Sequence, residues 1–382
     1  MNRKYLIVTA AVAIAMAAGC GNGISETEAV TSEPTPIEVE STETIVVELP
    51  EEEPAEEVEA ESTDTQSQET QASSEVAEVY PDRSVLTGLP VAAEVLEVRP
   101  AVVMLDNHYG ARPQAGLKDA DHVYEMLAEG RITRYMAVFQ SGSPSPVGPV
   151  RSARPYFIDK ALEYDAYYVH VGGSMQAMTD IINLNMADID GLSSGANVFW
   201  RTRHKRIPHN MYSSADAIRK ESLRKGYRQS GNFSGMPFND EKAVIGGEIC
   251  NYVKAVYKQP TSRDKVGYYI EFTFNPETLK YERSVNGKAH VDENDESRLT
   301  ADNVIVQIAT HKVIDDEGRR DVSLIGQGKG YFISNGEKLE ITWTKSDRYA
   351  RTVYKDVNGQ EVKFNPGNTW FQVVESETTL GW

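Results

Sequence analysis

The segment after residue 80 alternates apolar runs of strand length with segments of helical spacing. Continuous apolar runs, each bounded by polar residues or glycine, predict four strands at 101–105, 122–127, 134–139 and 166–171. Helical spacing, a proline suited to a first turn and serines at capping positions predict three helices at 155–164, 174–182 and 213 or 214–226. Residues 80–238 are therefore predicted to form a mixed α/β domain.

After residue 238 the pattern changes to alternation of apolar and polar positions. The alternation is clearest from 266 to 274, and it recurs at 304–308 and 338–343. Asn-Gly pairs, which favour tight hairpins, occur between strand-like segments at 286–287, 335–336 and 358–359. The glycine-rich segment 326–330 is predicted to be a turn. Residues 239–376 are therefore predicted to form a mostly antiparallel β domain, and the whole chain belongs to the α+β class.

Residues 21–79 lack both periodicities and contain no aromatic side chain. They include 18 Asp and Glu and not one Lys or Arg, so they carry the whole excess of negative charge. A segment of this composition cannot bury enough apolar surface to offset the entropy lost on ordering, which predicts a disordered acidic linker. Residues 80–382 carry 37 basic and 39 acidic side chains, and this balance argues against a nucleic-acid partner.

The first 20 residues have the pattern of an export signal. Arg3 and Lys4 precede an apolar run at 5–18, which is too short to span a bilayer comfortably and fits a signal-peptide core. The run ends in small residues before Cys20, and this ending resembles the lipobox of bacterial lipoproteins, although Leu is commoner than Ala at position 17. The resemblance implies cleavage before Cys20 and a lipid on its sulfur. An ordinary secretory signal with an incidental Cys is the alternative.

Residue types that ligate metals or attack substrates do not form a specific motif. Cys250 is the only other cysteine and lies in an apolar run, which predicts a buried, inert thiol. The histidines show no H-E-x-x-H or H-x-x-x-H spacing. Residues 191–195 match G-x-S-x-G but lack the strand-to-helix context that the nucleophile needs. No metal, cofactor or catalytic residue is therefore predicted.

Polar side chains gather at the ends of the predicted strands and in the loops that follow. In sheets of this kind such loops assemble ligand sites, and arginine forks suit carboxylate or phosphate groups. The alternative is that these groups form ion pairs that hold long loops in place. The predicted ligand-binding set is Asp106, Asn107, Arg112, Glu125, Arg151, Arg154, His170, Arg201, His209 and Asn210.

Several of these segments resemble the YerB-like lipoproteins, bacterial envelope proteins built on a two-part domain of unknown function. The resemblance spans about residues 85–375, and the Arg-Ser-Ala-Arg-Pro motif at 151–155 is specific. It implies a Gram-positive cell, with Cys20 in the outer leaflet of the cell membrane, but no established reaction or ligand. The segments that carry it are 104–108, 111–114, 120–125, 148–155, 199–201, 208–210, 330–336, 341–345 and 365–370.

The function expected from these observations is binding at the outer face of the cell membrane. The ligand would be an anionic or polar wall component: a wall polymer, a peptide or a cell-wall protein. One alternative is an envelope hydrolase or transferase in which His170 or His209 is the general base and Arg151 or Arg154 stabilises an anionic intermediate. Another is a protein-docking scaffold, which would present an exposed aromatic patch on the β domain.

Overall fold

A computed structural model describes residues 82–263, 265 and 267–382. The predicted signal peptide, Cys20 and the acidic linker lie outside the described residues. The helices are α1 (Ala93–Glu97), α2 (Pro155–Ala161), α3 (Met175–Asn183) and α4 (Ala215–Arg224). The first strands are β1 (Ala101–Asp106), β2 (His122–Leu127), β3 (Thr133–Phe139), β4 (Tyr167–His170), β5 (Asp188–Asp190), β6 (Trp200–Arg201) and β7 (Met211–Tyr212).

Fourteen further strands follow in the described part of the chain. They are β8 (Glu248–Ile249), β9 (Tyr252–Lys258), β10 (Tyr268–Asn275), β11 (Lys280–Val285), β12 (Lys288–Ala289), β13 (Thr300–Ala301), β14 (Asn303–Ile308), β15 (His311–Val313), β16 (Arg320–Val322), β17 (Gly326–Ser334), β18 (Glu337–Lys345), β19 (Val353–Lys355), β20 (Thr369–Val374) and β21 (Thr379–Gly381).

A large mixed sheet takes strands from both sides of residue 238. Its order is β19-β18-β17-β14-β20-β2-β3-β1-β4-β5, and β8 also pairs with β18. The two sides meet where β2 runs parallel to β20, with His122 opposite Thr369 and Glu125 opposite Gln372. The change of pattern at residue 238 therefore marks a change in the type of element along the chain, while one sheet continues across it.

Both faces of the large sheet are covered. Along β1, Val103 and Leu105 face one apolar cluster, which includes side chains of β9 and β10, whereas Val102 and Met104 face a second cluster with α2 and α3. The smaller sheet, in the order β12-β11-β10-β9-β21, therefore packs on one face and two helices pack on the other. Burial on both faces explains why the central strands are continuous apolar runs.

The predicted fold class is confirmed, and most individual elements lie where the patterns place them. Ser174 and Ser214 cap α3 and α4, because their side chains accept hydrogen bonds from the backbone N–H groups of Ala177 and Ala217. The Asn-Gly pairs at 286–287 and 335–336 have positive φ at both positions, as the tight hairpin turn requires.

The prediction of a turn at 326–330 is wrong, because these glycines begin strand β17. Gly328 lies opposite Trp343 of β18. A Cβ atom at position 328 would come within 2.5 Å of the indole nitrogen of Trp343. Glycine is therefore needed for the close approach of the Trp343 ring and not for a change of chain direction.

Candidate functional site

A buried polar cluster lies at the end of β1, with Asn107 at its centre. The amide nitrogen of Asn107 donates to the hydroxyls of Thr133, at 2.7 Å, and Tyr268, at 2.6 Å. Both hydroxyls in turn donate to the same oxygen of Glu125, at 2.7 and 2.5 Å. Glu125 is completely buried, so its carboxylate holds Asn107 and Tyr268 in place through hydrogen bonds and does not itself face a ligand. The cluster joins β1, β2 and β3 to β10 of the smaller sheet.

Arg112 lies on this cluster in a fixed orientation. Its Nε donates to Oδ1 of Asn107 at 2.8 Å, and one Nη donates to the backbone oxygen of the same residue at 2.9 Å. The guanidinium carbon is 4.8 Å from the ring centroid of Tyr268. The other Nη has no hydrogen-bond partner among the described residues, so Arg112 keeps donors for a ligand.

A cleft of about 440 Å³ opens beside Arg112. Three cationic side chains line it: those of Arg112, Arg131 and Lys258. None of its lining residues that the structure describes is Asp or Glu. Arg131 forms an ion pair with Glu375 at 3.0 Å and remains half exposed. The remaining lining residues are Asn107, His108, Tyr109, Ile132, Thr133, Gly267, Tyr268 and Asn286. The cleft therefore combines positive charge with hydrogen-bonding side chains, which suits an anionic ligand.

A second group of predicted residues lies next to this cleft, around Asp106. Nδ1 of His209 donates to Asp106 at 2.6 Å, and Nε of Arg151 lies 3.4 Å from the same carboxylate oxygen. The ring of His209 stacks on that of His108, with centroids 4.1 Å apart and planes inclined by 4°. His108 lines the cleft, so this group forms its flank. His209 lies here because β6 and β7 pair as a hairpin, and the loop that joins them brings His209 to Asp106, the last residue of β1.

The charges of this group shift two pKa values in the same direction for different reasons. Burial tends to raise the pKa of Asp106, but the positive charge of Arg151 and the hydrogen bonds from the His108 backbone and His209 outweigh it and lower the pKa. Burial and the neighbouring His209 lower the pKa of His108. Asp106 is therefore ionised and His108 neutral near pH 7. Nε2 of His209 has no hydrogen-bond partner among the described residues.

His170 and Arg154 lie in ion-pair clusters of their own. His170 is completely buried, with Nε2 2.5 Å from Asp188 and Nδ1 2.8 Å from the backbone oxygen of Gly172. Both of its ring nitrogens face acceptors, so neither is available to a substrate. Arg154 pairs with Glu129, which also binds Arg134 at 3.1 Å. This geometry corresponds to the alternative interpretation, in which such groups hold loops together.

Arg201 and Asn210 stabilise the hairpin that carries His209. Arg201 donates to the side-chain oxygen of Asn210 at 2.8 Å, and Asn210 donates to the backbone of Thr202 at 2.8 Å. Lys205, in the same loop, binds Glu293 at 2.5 Å and thereby joins the hairpin to the C-terminal half. These residues position His209 beside Asp106, and Arg201 is not among the described residues that line the cleft.

Residues from the C-terminal half complete the site, and the sequence patterns did not indicate most of them. Arg283 is completely buried and binds Glu125 at 2.6 Å and Nδ1 of His290 at 2.5 Å. Because Arg283 only donates, His290 accepts at Nδ1 and donates from Nε2 to Gln114, at 2.9 Å. Burial and the charge of Arg283 lower the pKa of His290 well below its usual value. The sequence contains one signal for Arg283: it is a charged residue in β11 at a position that alternation places on the buried face, between Tyr281 and Val285.

The same part of the chain offers little to a metal ion or to nucleophilic chemistry. Across residues 82–382, apart from 264 and 266, no three His, Cys, Asp or Glu side chains converge as metal ligands would. The thiol of Cys250 is buried as predicted, and burial raises its pKa, which leaves it protonated and inert. None of the helices in the described region has the length and apolar character needed to cross a membrane.

Comparison with known proteins places this architecture in one family. Residues 86–228 match the family described as "Protein of unknown function (DUF3048) N-terminal domain", and residues 261–371 match its C-terminal domain. A Bacillus subtilis (strain 168) protein named "Putative lipoprotein YerB" is 36% identical over 289 residues, which cover 76% of this chain and 85% of that protein. The chain belongs to the YerB-like family. The resemblance expected from the sequence motifs is confirmed.

A solved structure of the YerB-like family has the same fold. The crystal structure of YerB from Bacillus subtilis superposes with a TM-score of 0.71 at 33% identity, and the match covers 78% of this chain and 99% of that one. The YerB-like family has a two-part architecture of unknown function.

Proposed function

We propose that the protein is a lipid-anchored binding protein of the cell envelope that takes an anionic ligand in the cleft beside Arg112. The observation that carries the proposal is the lining of this cleft, where Arg112, Arg131 and Lys258 converge and none of the described lining residues is Asp or Glu. The Bacillus relative is named a putative lipoprotein, which supports lipid anchoring. The lipobox-like ending of the export signal places the lipid on Cys20, at the extracytoplasmic face of the membrane. The ligand is an anionic component of the wall or of a wall protein.

The rigidity of Arg112 supports specific binding of one kind of anion rather than a general electrostatic attraction of anions to the cleft. Two hydrogen bonds to Asn107 and the Tyr268 ring hold the guanidinium before any ligand arrives. A charged donor that is already oriented loses little conformational entropy on binding, so more of its interaction energy becomes affinity. Asn107 and Tyr268 are themselves held by the buried Glu125.

Replacing Arg112 by Gln should weaken anion binding about ten- to a hundredfold, because a charge-assisted hydrogen bond contributes about 1.5–3 kcal/mol. The measurement is calorimetry of the full chain in detergent with glycerol 3-phosphate and N-acetylmuramic acid as probes. Arg351→Gln is the matched control, since Arg351 pairs with Glu361 outside the cleft. Equal affinities of the Arg112 variant and the parent, with both folded by thermal melting, would refute the proposal.

An envelope hydrolase or transferase is the second candidate, and His209 favours it. The carboxylate of Asp106 orients the ring through Nδ1 and leaves Nε2 able to take a proton from water. The calorimetric samples can be screened for products by mass spectrometry. A product that forms with the parent and disappears with His209→Ala would support catalysis over simple binding.

Replacing Cys20 by Ala should abolish lipid labelling and release the protein from the detergent phase. The thioether can form only on the cysteine sulfur, and no other lipid attachment is expected. Metabolic labelling with a clickable fatty acid, followed by detergent phase separation, measures both effects. Cys250→Ala is the matched control and should retain full labelling, because that thiol is buried. Unchanged labelling of the Cys20 variant would end the claim of lipid anchoring.

A further inference from the structure

A second cavity adjoins the cationic cleft. It has a volume of about 460 Å³, and two residues, Arg112 and Asn286, line both it and the cleft. Lys288, which is exposed in strand β12, adds a cation to the second cavity. None of the described residues that line this cavity is Asp or Glu. Positive charges therefore follow one another from Arg131 and Lys258, through Arg112, to Lys288.

We infer that the two cavities form one groove that binds a linear phosphodiester polymer, and this inference rests on the proposed function. A small anion needs only one of the cavities, whereas a chain with a negative charge in every repeat can engage cations in both. Each additional contact made by the same chain is intramolecular, so a polymer gains affinity from modest individual contacts. Guanidinium and ammonium groups both suit phosphate oxygens.

The junction between the cavities is held rigidly, as a continuous groove requires. Arg112 is fixed on Asn107, and the side-chain oxygen of Asn286 accepts a hydrogen bond from the backbone of Tyr269 at 2.9 Å. Asn286 also begins the tight turn between β11 and β12, which sets the position of Lys288. The positions of Arg112 and of the backbone at Lys288 are therefore determined by the fold.

An acidic peptide fits the groove less well. Peptides that bind beside a sheet edge usually add as a strand and derive affinity from a row of backbone hydrogen bonds. Lys288 itself lies in an edge strand, β12, which has only two residues, Lys288 and Ala289, and both are paired with β11. So short an edge strand offers few backbone groups for hydrogen bonds to a peptide. The charged side chains, in contrast, can contact a phosphate chain without any backbone pairing.

The test compares glycerol 3-phosphate with a synthetic linear glycerol-phosphate oligomer, using the full chain in detergent at several salt concentrations. We expect the oligomer to bind at least tenfold more tightly than the monomer, with the steeper salt dependence that follows from release of counterions. Lys288→Gln should weaken oligomer binding several-fold, reduce the salt slope by about one and leave monomer binding unchanged. Lys312→Gln, an exposed lysine in the β15–β16 hairpin, is the matched control and should change neither.

The outcomes separate this inference from the proposed function. If the monomer binds in an Arg112-dependent way but the oligomer binds no more tightly, or if Lys288→Gln leaves oligomer binding unchanged, the continuous groove is wrong and the anion cleft remains. If a poly-glutamate peptide binds more tightly than the oligomer and depends on Lys288, the groove serves acidic peptides and the inference is overturned. If neither the phosphate probes, nor N-acetylmuramic acid, nor the peptide binds, both proposals fail.

Discussion

Replacing Arg283 by Met should lower the free energy of unfolding by about 3–5 kcal/mol, because it leaves the carboxylate of Glu125 buried without its countercharge. Both side chains are completely buried and are joined at 2.6 Å. Arg283 also lies over the ring of Trp370, with its guanidinium carbon 4.5 Å from the centroid, so the aliphatic replacement retains part of the packing. Chemical denaturation of the single variant measures the loss.

A double-mutant cycle shows whether the loss comes from the unpaired charge. Adding Glu125→Gln to Arg283→Met should recover part of the stability, because a neutral amide costs far less to bury alone than a carboxylate. Arg298→Met is the control. Its side chain contacts Glu282 and Ser284, which alternate with Arg283 along β11 and so lie on the other face of the smaller sheet. Its ion pair with Glu282 is long, at 4.0 Å, and partly exposed, so a change below about 1 kcal/mol is expected. Additive losses in the double variant would show that the ion pair has no special role.

Local patterns predicted the elements whose causes are themselves local. The strands β1 to β3, the serine caps of α3 and α4 and two tight Asn-Gly turns follow from periodicity, capping and backbone preference within a few residues. The parallel pairing of β2 with β20 has no such signature. It joins segments about 250 residues apart, and neither turn type nor hydrophobic spacing specifies which buried strands become neighbours.

In the candidate site, too, contacts between residues close in sequence could be predicted, whereas contacts between distant segments could not. Asn107 and Arg112 could be predicted as partners because they are only five positions apart and both follow the end of a strand. Tyr268 and Lys258 enter the cleft only because the smaller sheet packs against the large one, which no motif indicates. The position of His170 at the end of a strand predicts that it belongs to the site. Its contacts are instead decided by Asp188 of β5, and the sequence does not indicate that β5 pairs with β4.

Between pH 7 and pH 4 the free energy of unfolding should fall by about 3 kcal/mol through His122 alone. His122 is completely buried at the start of β2, where burial lowers its pKa from 6.5 to about 4. Its Nε2 donates to the backbone oxygen of Leu86 at 2.7 Å, and Nδ1 accepts from the hydroxyl of Tyr164 at 2.9 Å. The neutral ring satisfies both contacts, whereas a protonated ring would place a charge in a completely buried position.

The sign of the effect follows from proton uptake in the two states. Below about pH 6.5 the unfolded chain binds a proton at His122, and the folded protein does not until about pH 4. Stability therefore falls as the pH decreases through this window, and the contribution of His122 is constant above and below it. His122→Gln should be less stable than the parent at pH 7, because it loses the buried contacts, yet its stability should decline less towards pH 4. Denaturation of both proteins across this range tests the argument, since parallel pH profiles would show that His122 does not resist protonation in the folded state.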